Sequence, residues 1–157
     1  MGLMSYIKKR KRNAVLIISF ISSFQVSYCQ DVYFANSRSQ HTKDIYFPSW
    51  QSSHTIDVCF SDYKTQHTKD IYISTSGYCD VSVRYNRTTY SDDIYFTNSK
   101  SNFTTDIYIR PTVAQHTKDI YLTKNSSLAD HIICFPANFE FDKRHVAAIA
   151  VLYFFKE

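Results

Sequence analysis

Four histidines stand at one phase of this chain: His41, His54 and His67 are 13 residues apart, and His116 returns to the same setting after one shorter step. Imidazoles brought side by side by a repeat share the chemistry of a zinc or copper centre, so these four are the candidate metal ligands. Equal spacing, however, builds a ladder from any residue type, and no cysteine or carboxylate accompanies them at a recognised ligand spacing. Hydrogen-bonded histidines at a rim or surface are the competing expectation. An aspartate column runs alongside: Asp31, Asp44, Asp57, Asp70, Asp80, Asp93, Asp106 and Asp119. A general acid and base can be drawn from such carboxylates, yet repetition gives none of them an environment of its own. They read instead as strand-entry residues, balanced by Lys43, Lys69 and Lys118 beside them. Stacked calcium turns would need glycines that the sequence lacks. Thr42, Thr55, Thr68 and Thr117 form a threonine column that admits an ice-binding face. Tyr33, Tyr46, Tyr72, Tyr95, Tyr108 and Tyr121 offer spaced rings with polar tips, suited to sugar rings or to a protein surface, and are the candidate ligand-binding residues. No nucleophile elbow, phosphate loop or zinc-protease motif is present, so the expectation is a non-enzymatic protein with no cofactor.

The elements that must position these columns follow from the same period. Units such as Asp44-Ile45-Tyr46-Phe47 begin 13 residues apart from Asp31 to Asp70, take one step of 10 to Asp80, and resume the longer step through Asp119. Each unit is too small to bury its own apolar face and must borrow a neighbour's. Alternation places Ile45 and Phe47 on one face and Asp44 and Tyr46 on the other, so Ile45, Phe47, Ile71, Ile94, Phe96, Ile107 and Ile120 are the expected core. Polar stretches such as Asn36-Ser37-Arg38 and Asn98-Ser99-Lys100 read as bends, and Gly77 marks an altered one in the shortened unit. Helix signals are absent from Gln30 to Ala129, and the expected class is all-β. Beyond Leu122 the repeat decays. Ile132 to Phe135 keeps the phase, while Val146 to Phe155 is continuously apolar, which fits a last buried strand or a short buried helix.

Residues 1–29 stand apart. Lys8 to Arg12 are all basic, Ala14 to Ile21 is a short apolar run, and polar residues lead to Cys29. This order predicts a signal peptide over 1–29, cleaved before Gln30, and a secreted or periplasmic protein; a lipid anchor on Cys29 is the alternative. Of 18 basic and 14 acidic residues, five basic ones fall in the leader, which leaves 13 against 14 and a net charge of −1. That balance speaks against nucleic acid as a partner. The apolar run is too short to span a bilayer, so an integral membrane protein is not expected. The remaining 30–157 suits a single β-repeat domain, with clear repeats over 31–135 and a degenerate C-terminal strand over 138–157. Cys59, Cys79 and Cys134 allow at most one internal bridge. Cys59 and Cys134 share a phase and are one candidate pair; the other expectation is three small buried side chains. Asn86-Arg87-Thr88, Asn102-Phe103-Thr104 and Asn125-Ser126-Ser127 fit glycosylation sequons.

Asp44-Ile45-Tyr46-Phe47, the stretch from Ile94 to Asn102 and the 13-residue period together resemble the septafoil-knot domain family. These are small bacterial β proteins written as repeats of Lys-Ile-Tyr-Phe-Val-Asp-Ser-Lys-Tyr-x-Ala-Asp-Leu. The resemblance covers Asp31 to Phe135. It departs at His41-Thr42, His54-Thr55, His67-Thr68 and His116-Thr117, where the family has Ala-Asp, and in the tail from His145. It implies repeats wound into a compact, deeply knotted domain with seven crossings and no established activity. An unknotted β-solenoid is the alternative. The functional expectation is an exported, structural or ligand-binding protein of the cell envelope, with polysaccharide or protein as partner. The competing expectation is a metal-binding protein or metal-dependent enzyme built on the histidine column.

Overall fold

The computed structural model describes residues 29–155. The expected leader lies outside the described residues, apart from Cys29 at its end. After each aspartate, β-branched and aromatic residues alternate with polar ones, and every such unit forms a short strand. In chain order these are β1 (Gln30–Phe34), β2 (Lys43–Tyr46), β3 (Ile56–Ser61), β4 (Lys69–Ser74), β5 (Val81–Arg84), β6 (Asp92–Thr97), β7 (Thr105–Arg110), β8 (Lys118–Thr123) and β9 (His131–Cys134). All the ladders are parallel. They close into a barrel in the order β1-β5-β9-β4-β8-β3-β7-β2-β6. The all-β class therefore holds, with one short helix added.

Strands consecutive in sequence are never paired. Each lies two positions further round the barrel in the same sense, so strands of the second circuit fill the gaps left by the first. Every connection must then pass over the outside of the strand it skips. The β2–β3 connection crosses β7, where Arg110 Nη1 donates to Gln51 Oε1 at 2.8 Å. The β4–β5 connection crosses β9, where Cys79 and Cys134 form a disulfide with their Cα atoms 5.7 Å apart. Parallel sheets are covered on both faces, usually by helices; here the chain's own connections cover the outer one. Gly77, in the shortened β4–β5 connection, has φ +96°, a conformation that glycine adopts without strain.

Inside, Val32, Ile45, Val58, Ile71, Ile94, Ile107, Ile120 and Ile133 form a ring with no exposed surface. Phe34, Phe47, Phe60 and Phe96 are partly buried against it. The lumen is filled by α1 (Lys143–Ile149), which continues as a π-helical turn over Ala150–Phe154. Val146, Ala147, Ala148, Ile149 and Ala150 are buried in the same cluster as the isoleucine ring. The helix enters where strands end, with the His145 ring 4.6 Å from Phe34 and 5.1 Å from Phe96. It leaves where strands begin, with the Tyr153 hydroxyl donating to Asp92 at 2.7 Å and Phe154 stacked on His131 at 4.0 Å. Alanine at three of five central positions lets a helix backbone fit between opposed isoleucines.

Two expectations are corrected. The degenerate strand over 138–157 is replaced by this helix. A closed barrel has no free edge for a tenth strand, whereas a helix satisfies its own backbone inside an apolar lumen. Cys59 does not pair with Cys134: it is a buried free thiol on β3, three strand positions from β9. Equal phase in the repeat puts side chains on one face but not next to one another.

The helix start is fixed by a capping box, in which Asp142 accepts from the amides of Arg144 at 2.9 Å and His145 at 3.3 Å. Partial burial would raise the Asp142 carboxyl, but hydrogen bonds from Arg144 and His145 outweigh it and lower its pKa to about 2. Asp142→Ala should cost about 1 kcal/mol at neutral pH. The side chain is 45% exposed, so solvent screening keeps the electrostatic share small. A depressed carboxyl stabilises above its unfolded value, so the difference between parent and variant should persist above 3.8 and vanish as pH falls toward 2. Urea denaturation of both proteins across that range checks it.

Candidate functional site

The outer turns repeat one small machine. Before β2, the Thr42 amide donates to the Ser39 carbonyl at 3.3 Å, and the Thr42 hydroxyl accepts the Ser39 amide at 3.3 Å while donating to Asp44 Oδ1 at 2.7 Å. The same turn precedes β3, β4, β6, β7 and β8, closed by Thr55, Thr68, Ser91, Thr104 and Thr117 on Ser52, Thr65, Thr88, Ser101 and Ala114. Threonine and serine are suited to this, because one hydroxyl can receive from the turn and give to the strand. The aspartate it holds points outward from the barrel and is nonetheless buried: Asp44, Asp70, Asp93, Asp106 and Asp119 are all 8% exposed or less.

A cation six residues earlier takes the other carboxylate oxygen in four of these units. Arg38 Nε meets Asp44 at 2.5 Å, Arg87 Nε meets Asp93 at 2.6 Å, Lys100 meets Asp106 at 2.9 Å, and Lys64 holds Asp70. Donating a hydrogen bond to Asp70 raises the Lys64 pKa. In the β3 unit Gln51 stands at the cation position, and Asp57 is served instead by Arg110 Nη1 at 3.3 Å. At Lys43 the expected balance with the adjacent aspartate is not what forms. Lys43 reaches across to Asp92 on the neighbouring strand at 2.5 Å and donates to the Tyr153 hydroxyl. Burial, and then the bond to Asp92, push the Tyr153 hydroxyl pKa up.

Three residues before each aspartate the turn projects a ring: His41, His54, His67, Tyr90, Phe103 and His116, all exposed. Because β3, β7, β2 and β6 are barrel neighbours, the ring of one turn leans over the next turn's cation and aspartate. His41 faces Arg87, Thr88, Ser91 and Asp93 in a groove of about 590 Å³. Phe103 faces Arg38, Ser39, Thr42 and Asp44 in one of about 560 Å³. His54 faces Lys100, Ser101, Thr104 and Asp106 in one of about 370 Å³. These three grooves are built alike and lie on consecutive turns.

The sequence-predicted candidates separate accordingly. The six tyrosines of the strand column share the outer barrel face and are each half-buried beneath the winding. The four column histidines sit on different turns. His54 Nδ1 lies 3.1 Å from the Ser53 hydroxyl, and His67 Nε2 lies 3.2 Å from Gln66 Nε2. Among the described residues no group of three or more His, Cys, Asp or Glu side chains is placed to hold a metal ion. His131 and His145 serve packing, and burial lowers the His131 pKa against the pull of Asp80. Sequence reasoning missed the cation-x-x-x-Thr-x-Asp spacing. Arg38, Lys64, Arg87 and Lys100 were its signal, at a constant offset of six.

The turn hydroxyl and the exposed ring beside it carry different burdens. Thr68→Val should cost about 1–3 kcal/mol, because it leaves Asp70 Oδ1 buried without a donor. His67→Ala next to it should stay within about 0.5 kcal/mol. Chemical denaturation of the two variants separates them, and equal losses would contradict the assignment. The chain matches no protein-family model, no curated protein and no solved structure.

Proposed function

We propose that this is an exported, non-enzymatic β-repeat protein whose rigid barrel presents the three like-built grooves to a glycan of the cell envelope. The grooves carry the reading. Each sets a ring face beside fixed hydrogen-bond donors, which is the pairing that holds a sugar's C–H face and its oxygens together. Three in a row suit an extended polymer better than a single small molecule, since linked subsites add avidity. Asp44, Asp70, Asp93 and Asp106 are buried, and each is engaged by a turn hydroxyl and a cation rather than held free for acid–base work. Export is supported by the Cys79–Cys134 disulfide, because such bonds persist in oxidising compartments, and by the basic-then-apolar order of residues 8–21.

The reading extends to topology. The chain is taken to be knotted, as its resemblance to the septafoil-knot family implies. Two interleaved circuits with every connection passing outside a skipped strand support this, and the disulfide ties one such crossing. No helix of the described residues is long and apolar enough to cross a membrane.

Mature protein should be retained on cell-envelope polysaccharide. A variant combining His41→Ala, Phe103→Ala and His54→Ala should lose at least about tenfold in affinity, as expected for several stacking contacts of about 1 kcal/mol each. Its thermal midpoint should not move, because these rings are exposed. Full retention by the variant, or no retention by the parent, would overturn the reading.

A further inference from the structure

We infer that the three grooves select acidic sugar units, carboxylated or sulfated, over neutral ones. This deepens the glycan-binding reading and rests on it. It comes from counting what each groove leaves for a ligand. The Asp44, Asp93 and Asp106 carboxylates are 5%, 4% and 5% exposed in their side chains. In each, Oδ1 takes the turn hydroxyl and Oδ2 takes the cation. The hydroxyls are likewise spent on the turn and its aspartate.

Beside the rings, each groove exposes a cation among neutral groups, Thr89, Gln40 and Asn102, while Asp92 in the first groove is held by Lys43 and Tyr153. Arg38 and Arg87 hold their aspartates through Nε and remain 54% and 56% exposed, so their Nη groups are open to a ligand; Lys100 is 52% exposed. A neutral sugar hydroxyl can pair with the neutral groups but makes with the cation only a bond in which one partner is charged. A carboxylate or sulfate only accepts, and it fits the two-pronged edge of a guanidinium. The buried aspartate beneath orients the fork, so little side-chain entropy is lost on binding. Because that aspartate also balances the cation's charge, selection acts at contact distance rather than through a long-range positive field.

Binding of the mature protein to three probes tests this: a neutral glucan, polygalacturonate and dextran sulfate. At least one acidic probe should bind about tenfold or more tightly than the glucan, and comparing the two acidic arms shows whether carboxylate or sulfate is preferred. Equal or tighter binding of the glucan would overturn the inference while leaving glycan binding intact. No binding to any probe would overturn both. Replacing Arg38→Met together with Asp44→Asn removes the pair without orphaning a buried charge, and should weaken the acidic probe severalfold without weakening the glucan. If that variant does not fold, Arg38→Lys keeps the ion pair but loses the fork and should reduce the preference. Undiminished preference in the variant that folds would contradict the assignment.

Discussion

The structure depends on the buried aspartates at the entrances of β2, β4, β6, β7 and β8. Left alone, a carboxylate on the outer face of a parallel barrel would need water, and the barrel could not be wrapped by its own connections. Here the hydroxyl two residues earlier holds it within the same repeat, and in four units a cation six residues earlier takes the other oxygen. Each aspartate thereby ties the end of a connection down onto the strand it leads into. The enclosure recurs because the repeat carries the hydroxyl and the aspartate, with the cation added in four units.

That local device permits an unusual global arrangement. A step of two positions per strand makes the neighbours of β1 the strands four and five units later, β5 and β6. Neighbouring turns consequently come from distant parts of the sequence, and the grooves form between them. Phe103 from one circuit leans over Arg38 from the other. The lumen is completed from outside the repeat by an alanine-rich helix that joins the isoleucine ring. Scaffold and grooved edge are thus products of one winding.

Strands and core were legible in the sequence because Ile45 and its equivalents alternate with outward residues at period two. The partners of each strand were not, since near-identical units specify a face but not a neighbour. This is also why Cys59 and Cys134, alike in phase, lie apart. The aspartates were legible as strand-entry residues, but the cation that engages four of them lies six residues earlier rather than in the adjacent lysine. Val146 to Phe155 carries no period at all, so its helix followed from the absence of a free strand edge. The groove rings were visible as a histidine column. Tyr90 and Phe103 take the same place in two turns, so what the column shares is an aromatic ring rather than an imidazole.

Native-state hydrogen exchange at the turn amides of Thr42, Thr55, Thr68, Thr104 and Thr117 addresses the anchoring of connections to strands most directly. These amides donate to turn carbonyls at 3.1–3.3 Å, on connections that would be mobile loops in an ordinary barrel. If the buried aspartates tie the connections down, these amides exchange only through the global opening that also exposes Ile45 and Ile94. Rapid local exchange at the threonines, with the strand amides still protected, would contradict it.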